Sequence, residues 1–186
     1  MTEIYFIRHS IPDFSIKDDL TRPLTKEGIE KAEKLIEIFN EINVDKIFSS
    51  PYKRTIQTVE PISKNKDIEI EIIEDFKERK ISDFWIDDFN EYCRKQWQNF
   101  MYKLENGESL IEVQNRNIMA LNKVLNENNG KKIIIETHGT ALSTIINYYD
   151  KTFEYNKFME IINVMPYITK IIFKDDRYIE RIEMNT

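Results

Sequence analysis

At 186 residues and 22.4 kDa the chain is sized for a single domain, 1–186, with enough residues to bury a substantial core. Its 33 acidic against 27 basic side chains give a formal charge of −6, which speaks against a general nucleic-acid binder and requires any bound anion to be held by local positive charge. One cysteine, Cys93, excludes an intrachain disulfide, and with the two histidines it leaves too few ligands for a zinc site built from His and Cys.

The four glycines cannot assemble a Walker A loop or a dinucleotide fingerprint. No apolar stretch is long enough to span a bilayer, so no membrane partner is expected. No basic stretch precedes the first apolar run, and Arg8 interrupts that run early, unlike a signal peptide. With the lone thiol, this makes the cytoplasm the expected compartment.

In chain order, Ile4-Tyr5-Phe6-Ile7 is a short β-branched and aromatic run, the pattern of a strand buried on both faces, and it ends in Arg8-His9. Residues 10–23 carry two prolines and Asp18-Asp19 and read as a long covering loop. Thr25 can cap a helix running to about Asn40, with Ile29, Ala32, Leu35, Ile36 and Phe39 on its apolar face and Gly28 in its first turn. Lys46-Ile47-Phe48 is a second strand, and Ser49-Ser50-Pro51 predicts a helix start with a serine cap and proline in the first position. Residues 68–73 alternate Ile and Glu, as in a half-exposed edge strand.

Residues 87–105 predict an aromatic-rich helix. Ser109 and Glu112 form a capping box for a further helix that stops at Asn128-Asn129-Gly130. Ile133-Ile134-Ile135 is a second fully buried strand, ending in Glu136-Thr137-His138-Gly139, after which a helix runs to about Tyr149. A short helix over 155–161 and two strands over 168–173 and 178–182 complete the chain. The alternation predicts an α/β fold, three-layer α/β/α, with a mostly parallel central sheet.

Arg8, His9, Arg54 and His138 all fall at predicted carboxyl ends of strands, where open α/β sheets bind ligands. Two guanidiniums and two imidazoles converging in an acidic protein suit a phosphoryl group. A neutral imidazole can attack phosphorus through one ring nitrogen while the other donates to a backbone carbonyl that fixes the tautomer. His138 stands where a helix begins, which adds positive potential there. Taken alone, the first stretch reads sooner as a surface Arg-His pair closing a strand; Arg54 and His138 shift the reading to a site.

These strings resemble the histidine phosphatase superfamily, which includes the phosphoglycerate mutases: Arg8-His9-Ser10 its Arg-His-Gly, residues 24–28 its Leu-Thr-x-x-Gly, and residues 49–58 its Ser-Ser-Pro-x-x-Arg-x-x-Gln-Thr. Gly107-Glu108-Ser109 with Arg116, and the strand ending in His138-Gly139, also resemble family patterns. The resemblance implies a phosphoglycerate mutase-like fold, His9 as the phosphorylated nucleophile, and Arg8, Arg54, His138 and Gly139 around the phosphate. It implies an acid in the context of Glu78, with Glu74, Asp75 and Asp83 as alternatives. Ser10 replaces the usual Gly, and Ser15 stands where many members carry a phosphate-binding Asn, making it a candidate phosphate ligand. The mutases' Asn- and Trp-containing stretch is absent and the chain is short for a mutase.

The expectation is therefore a phosphomonoesterase acting through phosphohistidine on a small phosphate monoester, with no metal and no cofactor, although the 33 acids leave a carboxylate magnesium site open. A mutase-type phosphotransferase and a catalytically inactive phospholigand-binding protein on the same fold are the alternatives. Residues 76–108 are expected to form a cap-like insertion over the site, with core packing the competing use of their aromatics. The oligomeric state is left open.

Overall fold

The computed structural model describes residues 1–184. Six strands form one sheet in the order β3-β2-β4-β1-β5-β6: β1 (Thr2–Arg8), β2 (Lys46–Ser49), β3 (Ile70–Ile72), β4 (Lys132–Thr137), β5 (Tyr167–Lys174) and β6 (Arg177–Met184). β3, β2, β4 and β1 are parallel; β5 runs antiparallel to β1, and β6 antiparallel to β5. The sheet is thus mixed but mostly parallel, as the α/β alternation predicts.

Period-two alternation sends the strand side chains into two separate cores. Tyr5 and Ile7 of β1, Ile47 and Ile134 face Leu35 and Phe39 of α1 (Lys26–Phe39) and Val59 and Ile62 of α2 (Lys53–Lys66). Ile4, Phe6, Phe48, Ile133 and Ile135 face the opposite layer. That layer holds α3 (Phe89–Gln98), α4 (Leu110–Glu127), α5 (Gly139–Tyr149) and α6 (Tyr155–Ile162). Phe6 and Ile135 are fully buried, each contributing about 1.5–3 kcal/mol by transfer from water. Among the described residues no helix is long and apolar enough to cross a membrane.

Several local features depart from the sequence reading. α2 begins at Lys53 behind Tyr52, whose side chain makes no cap; the Ser50 hydroxyl accepts from the Tyr52 N–H at 3.4 Å while also engaging His138 and Thr55. The helix expected over 87–105 ends at Gln98: the buried Gln96 amide donates to the Tyr102 and Glu108 carbonyls, each at 3.0 Å, and folds the chain back. β3 keeps only three residues, and Ile72 is exposed at this sheet edge. Ile29 is exposed, so the buried stripe of α1 is Gly28, Ala32, Leu35 and Phe39.

Gly28 is where the covering loop touches α1. A Cβ there would lie 2.3 Å from the Ile11 carbonyl oxygen, closer than atoms can pack. Helix propensity alone favours Gly28→Ala by about 1 kcal/mol. The clash reverses that sign, and urea denaturation of Gly28→Ala is expected to show a loss of about 1–3 kcal/mol. A variant as stable as the parent would contradict the close approach of the loop.

Candidate active site

The site is built by strand register. Arg8 of β1 pairs with Thr137 of β4, so the next residues, His9 and His138, leave the sheet side by side, their ring centroids 5.3 Å apart. On the other side of β4, Ser49 pairs with Glu136, which brings Ser50 and the first turn of α2 to the same edge. Arg54, His9, His138 and Arg8 are all buried, and the structure brings the four together as the sequence predicts.

The two imidazoles carry their protons on opposite nitrogens. His9 Nδ1 lies 2.8 Å from the Ser10 carbonyl oxygen, which only accepts, so Nδ1 is the donor and Nε2 keeps its lone pair. His138 Nδ1 lies 3.1 Å from Arg54 Nη2, which only donates. His138 therefore carries its proton on Nε2 and donates it to Ser50 Oγ at 2.8 Å. Ser50 Oγ in turn lies 2.9 Å from Thr55 Oγ1. Tyr52 packs edge-on to the His138 ring at 4.8 Å, with the Arg54 guanidinium 4.8 Å from its own ring.

Electrostatics keeps both imidazoles neutral. Burial pushes the His9 ring well below the ordinary histidine range, and the Arg54 and Arg8 guanidiniums push it further. Burial, Arg54 and the neighbouring His9 do the same to His138. Arg8 Nη1 donates to the carbonyls of Ile161 at 2.8 Å and Val164 at 3.0 Å, at the carboxyl end of α6, a favourable place for a cation. Burial brings its guanidinium down to about 10, against the upward pull of Glu78, so it stays charged at neutral pH. Arg8 Nε has no hydrogen-bond partner.

Arg54 Nη1 is held by the loop between β1 and α1, donating to the Asp19 carbonyl at 2.6 Å with the Asp19 carboxylate at 3.1 Å. Asp19 also pairs with Arg22 at 2.8 Å. This is what the long loop covers. Gly139 makes room for Arg8: a Cβ there would sit 3.1 Å from Arg8 Nε. Ser15 is exposed, and its hydroxyl donates to Asp13 at 2.7 Å within the loop.

Glu78 accepts from the backbone N–H of Thr140, in the first turn of α5, at 3.1 Å, and from that of Arg79 at 2.8 Å. Its carboxylate thus adjoins the His138-Gly139 start of α5. Arg116 holds the backbone leading into it, donating to the carbonyls of Asp75 at 2.6 Å, Lys77 at 2.9 Å and Glu78 at 3.3 Å, while pairing with Glu108. Two of the alternative acids are engaged elsewhere: Glu74 pairs with Lys77, and Asp83 with Lys80 and Asn106. Downstream, the exposed Trp85 ring takes the Lys17 ammonium of the covering loop at 4.2 Å. Tyr92 and Trp97 instead pack inward, Trp97 against Phe153 and Phe158.

Asp19, Tyr52, Thr55 and Glu136 are site neighbours that the sequence pattern does not assign. The acidic pair in a covering loop signals Asp19; nothing local signals the others. Among the described residues, no three His, Cys, Asp or Glu side chains converge as a metal site.

The family model for the histidine phosphatase superfamily (branch 1) matches residues 4–181. The chain belongs to that superfamily. It is 29% identical to the uncharacterized phosphatase PhoE of Bacillus subtilis over 152 residues, 78% of this chain and 76% of that protein. It is 25% identical to the probable phosphoglycerate mutase GpmB of Proteus mirabilis over 162 residues, 79% of this chain and 74% of that protein. The fold matches a mutant phosphoserine phosphatase of Entamoeba histolytica in complex with phosphoserine, with a TM-score of 0.78, 23% identity and coverage of 96% of this chain and 94% of that one.

With only two histidines, proton NMR of the imidazole Cε1–H groups reads each ring directly. Because both pKa values are lowered, the neutral forms persist as pH falls through 6.5, and neither resonance is expected to move until well below it. A midpoint between 6 and 7 for either ring would contradict the buried, arginine-flanked environment.

Proposed function

We propose that this chain is a metal-independent phosphomonoesterase that works through a phosphohistidine on His9 and acts on a small phosphorylated metabolite. The observation that carries this reading is the locked tautomer of His9, whose Nδ1–H is held by the Ser10 carbonyl beside two buried guanidiniums. A phospholigand binder requires charge but no such oriented lone pair.

In the proposed reaction His9 Nε2 attacks phosphorus and the bond to the ester oxygen breaks. Arg8 and Arg54 take the non-bridging oxygens, Arg54 exchanging its Asp19 and His138 contacts for them. Released by Arg54, His138 takes its other tautomer, with the Ser50 hydroxyl turning to donate to Nε2, and its Nδ1–H then donates to the same oxygens, aided by the amino end of α5. Glu78 gives a proton to the departing alkoxide, and its position against α5 supports this role over Asp83. Water, deprotonated by Glu78, then attacks the phosphohistidine. The phosphorus–nitrogen bond breaks, inorganic phosphate leaves, and both His9 and Glu78 regain their starting states. The Arg8 and Arg54 guanidiniums supply the charge that a metal supplies elsewhere. Gly139 serves the phosphate by admitting Arg8, and Ser15, engaged with Asp13, is assigned no step.

Residues 76–108 are read as a cap at the leaving-group side. The contact of Trp85 with Lys17 supports this, since it ties the segment after Glu78 to the loop that holds Arg54. The relatives named as phosphatases favour hydrolysis; GpmB keeps phosphotransfer in view, and product analysis separates the two. A lone buried thiol, Cys93, is at home in a reducing cytoplasm.

Turnover of a panel of phosphate monoesters, with inorganic phosphate as product, is expected to survive EDTA. Loss on chelation with recovery on magnesium would refute the metal-free mechanism. During turnover an alkaline quench should preserve a phosphoryl label and an acid quench should destroy it. His9→Ala should abolish labelling and lower the rate by about 10³-fold or more. Retained labelling would place the nucleophile elsewhere. Glu78→Gln should cost on the order of 10²–10⁴ on an alkyl phosphate and much less on nitrophenyl phosphate, whose leaving group needs little protonation. Equal losses on both would point to a different acid.

A further inference from the structure

Arg22 has no part in the chemistry above, yet it is a buried cation that meets the group holding Arg54. It lies near the end of the covering loop, before Pro23, and its side chain is only 8% exposed. Its Nε donates to the Ile16 carbonyl at 2.7 Å and its Nη2 to the Lys17 carbonyl at 3.1 Å, so two corners of the fork are fixed to the backbone of the loop itself. The remaining nitrogen, Nη1, donates to Asp19 Oδ1 at 2.8 Å. The same oxygen lies 3.1 Å from Arg54 Nη1. One anionic oxygen is therefore shared by two guanidiniums from different elements, the covering loop and α2. Two buried cations meeting at one point repel each other unless an anion lies between them. The Asp19 side chain is 44% exposed, and it is the one member of the trio that can swing into water.

We propose that Arg22 is a third guanidinium of the phosphate pocket, and that Asp19 Oδ1 stands in the unliganded protein where an oxygen of the bound phosphoryl group stands in the complex. This rests on the reading of the pocket as a phosphoryl site. In that reading Arg54 exchanges Asp19 for the ligand, and because the oxygen is shared, Arg22 loses its partner in the same step. An incoming phosphoryl oxygen restores the pairing of both arginines at once, while the two carbonyl anchors keep the Arg22 fork in place. The field at His9 agrees with this placement: after burial, Arg54 and Arg8, the Arg22 guanidinium also bears on that ring and pushes it downward. Ser15 is turned to Asp13, so the covering loop reaches the pocket through Arg22 instead.

Calorimetric titration of inorganic sulfate into the intact protein and its variants, at one pH and ionic strength, tests this. Asp19→Asn removes the internal anion and is expected to bind sulfate several-fold more tightly than the unaltered protein. Arg22→Gln in the Asp19→Asn background is expected to lose on the order of tenfold or more, because Arg22 touches the ligand itself. If Arg22 only neutralised Asp19, the double variant would bind as tightly as Asp19→Asn alone, and that result overturns the proposal. If Arg22 only braced the loop, Arg22→Lys, which keeps the charge but not the paired carbonyl anchors, would lose as much as Arg22→Gln. It is expected instead to retain more of the affinity, and equal losses overturn the proposal. Sulfate binding weakened or unchanged by Asp19→Asn also overturns it. A crystal structure of the unaltered protein with sulfate reads the contact without any variant. Arg22 Nη1 on a sulfate oxygen, with Asp19 swung away, is expected. Sulfate held by Arg8 and Arg54 while Arg22 stays closed on Asp19 overturns the proposal and leaves the phosphate pocket standing. Sulfate bound by none of these proteins overturns both the proposal and the phosphate-site reading.

Discussion

The pairing of β1 with β4 is the constraint on which everything else rests. The ladder that sets Arg8 against Thr137 also fixes what comes one residue later on each strand, so two histidines far apart in sequence emerge as neighbours. Both strands are apolar on both faces, and a one-residue slip would turn Phe6 and Ile135 out of their core. The core thus enforces the geometry of the site: the same side chains that hold the sheet together prevent the imidazoles from moving apart.

Concentrating positive charge at a buried sheet edge has a cost, and the surroundings offset it group by group. The carboxyl end of α6 receives Arg8 through two backbone carbonyls. Asp19 and its own carbonyl receive Arg54. Neither arrangement uses a buried carboxylate locked permanently onto a guanidinium, which would compete with a substrate phosphoryl group. Asp19 is on a partly exposed loop and can yield. The neutral histidines follow from this: for rings buried beside two cations, protonation is the unfavourable state. A neutral His9 with its Nδ1 proton tied down is the form that can act as a nucleophile.

Much of this was legible in the sequence because it is written in local patterns. Two apolar runs, one ending in Arg8-His9 and the other in Glu136-Thr137-His138-Gly139, announce buried strands with polar ends. The Ser109 and Glu112 capping box is present as expected. Other features depend on contacts that no local pattern carries. Ser50-Pro51 has the composition of a helix start, but the Ser50 hydroxyl is shared between the Tyr52 N–H, at a long 3.4 Å, and His138, and α2 begins at Lys53. The aromatic helix stops early because Gln96 reaches carbonyls brought near by tertiary folding. Glu136 looks like any polar residue ending a strand until α2 covers it. The role of Arg116 is likewise spatial: it grips three carbonyls nearly forty residues away and so sets the path of the chain into Glu78.

The central claim is that His9 Nε2 and the two guanidiniums address one phosphorus atom. A crystal structure with vanadate measures this most directly, since vanadate adopts the five-coordinate geometry of phosphoryl transfer. The predicted result is vanadium bonded to His9 Nε2, with Arg8, Arg54 and His138 on its equatorial oxygens and Glu78 near the apical oxygen opposite His9. Vanadate bound away from His9, or held by the arginines with His9 Nε2 turned out of line, would contradict it.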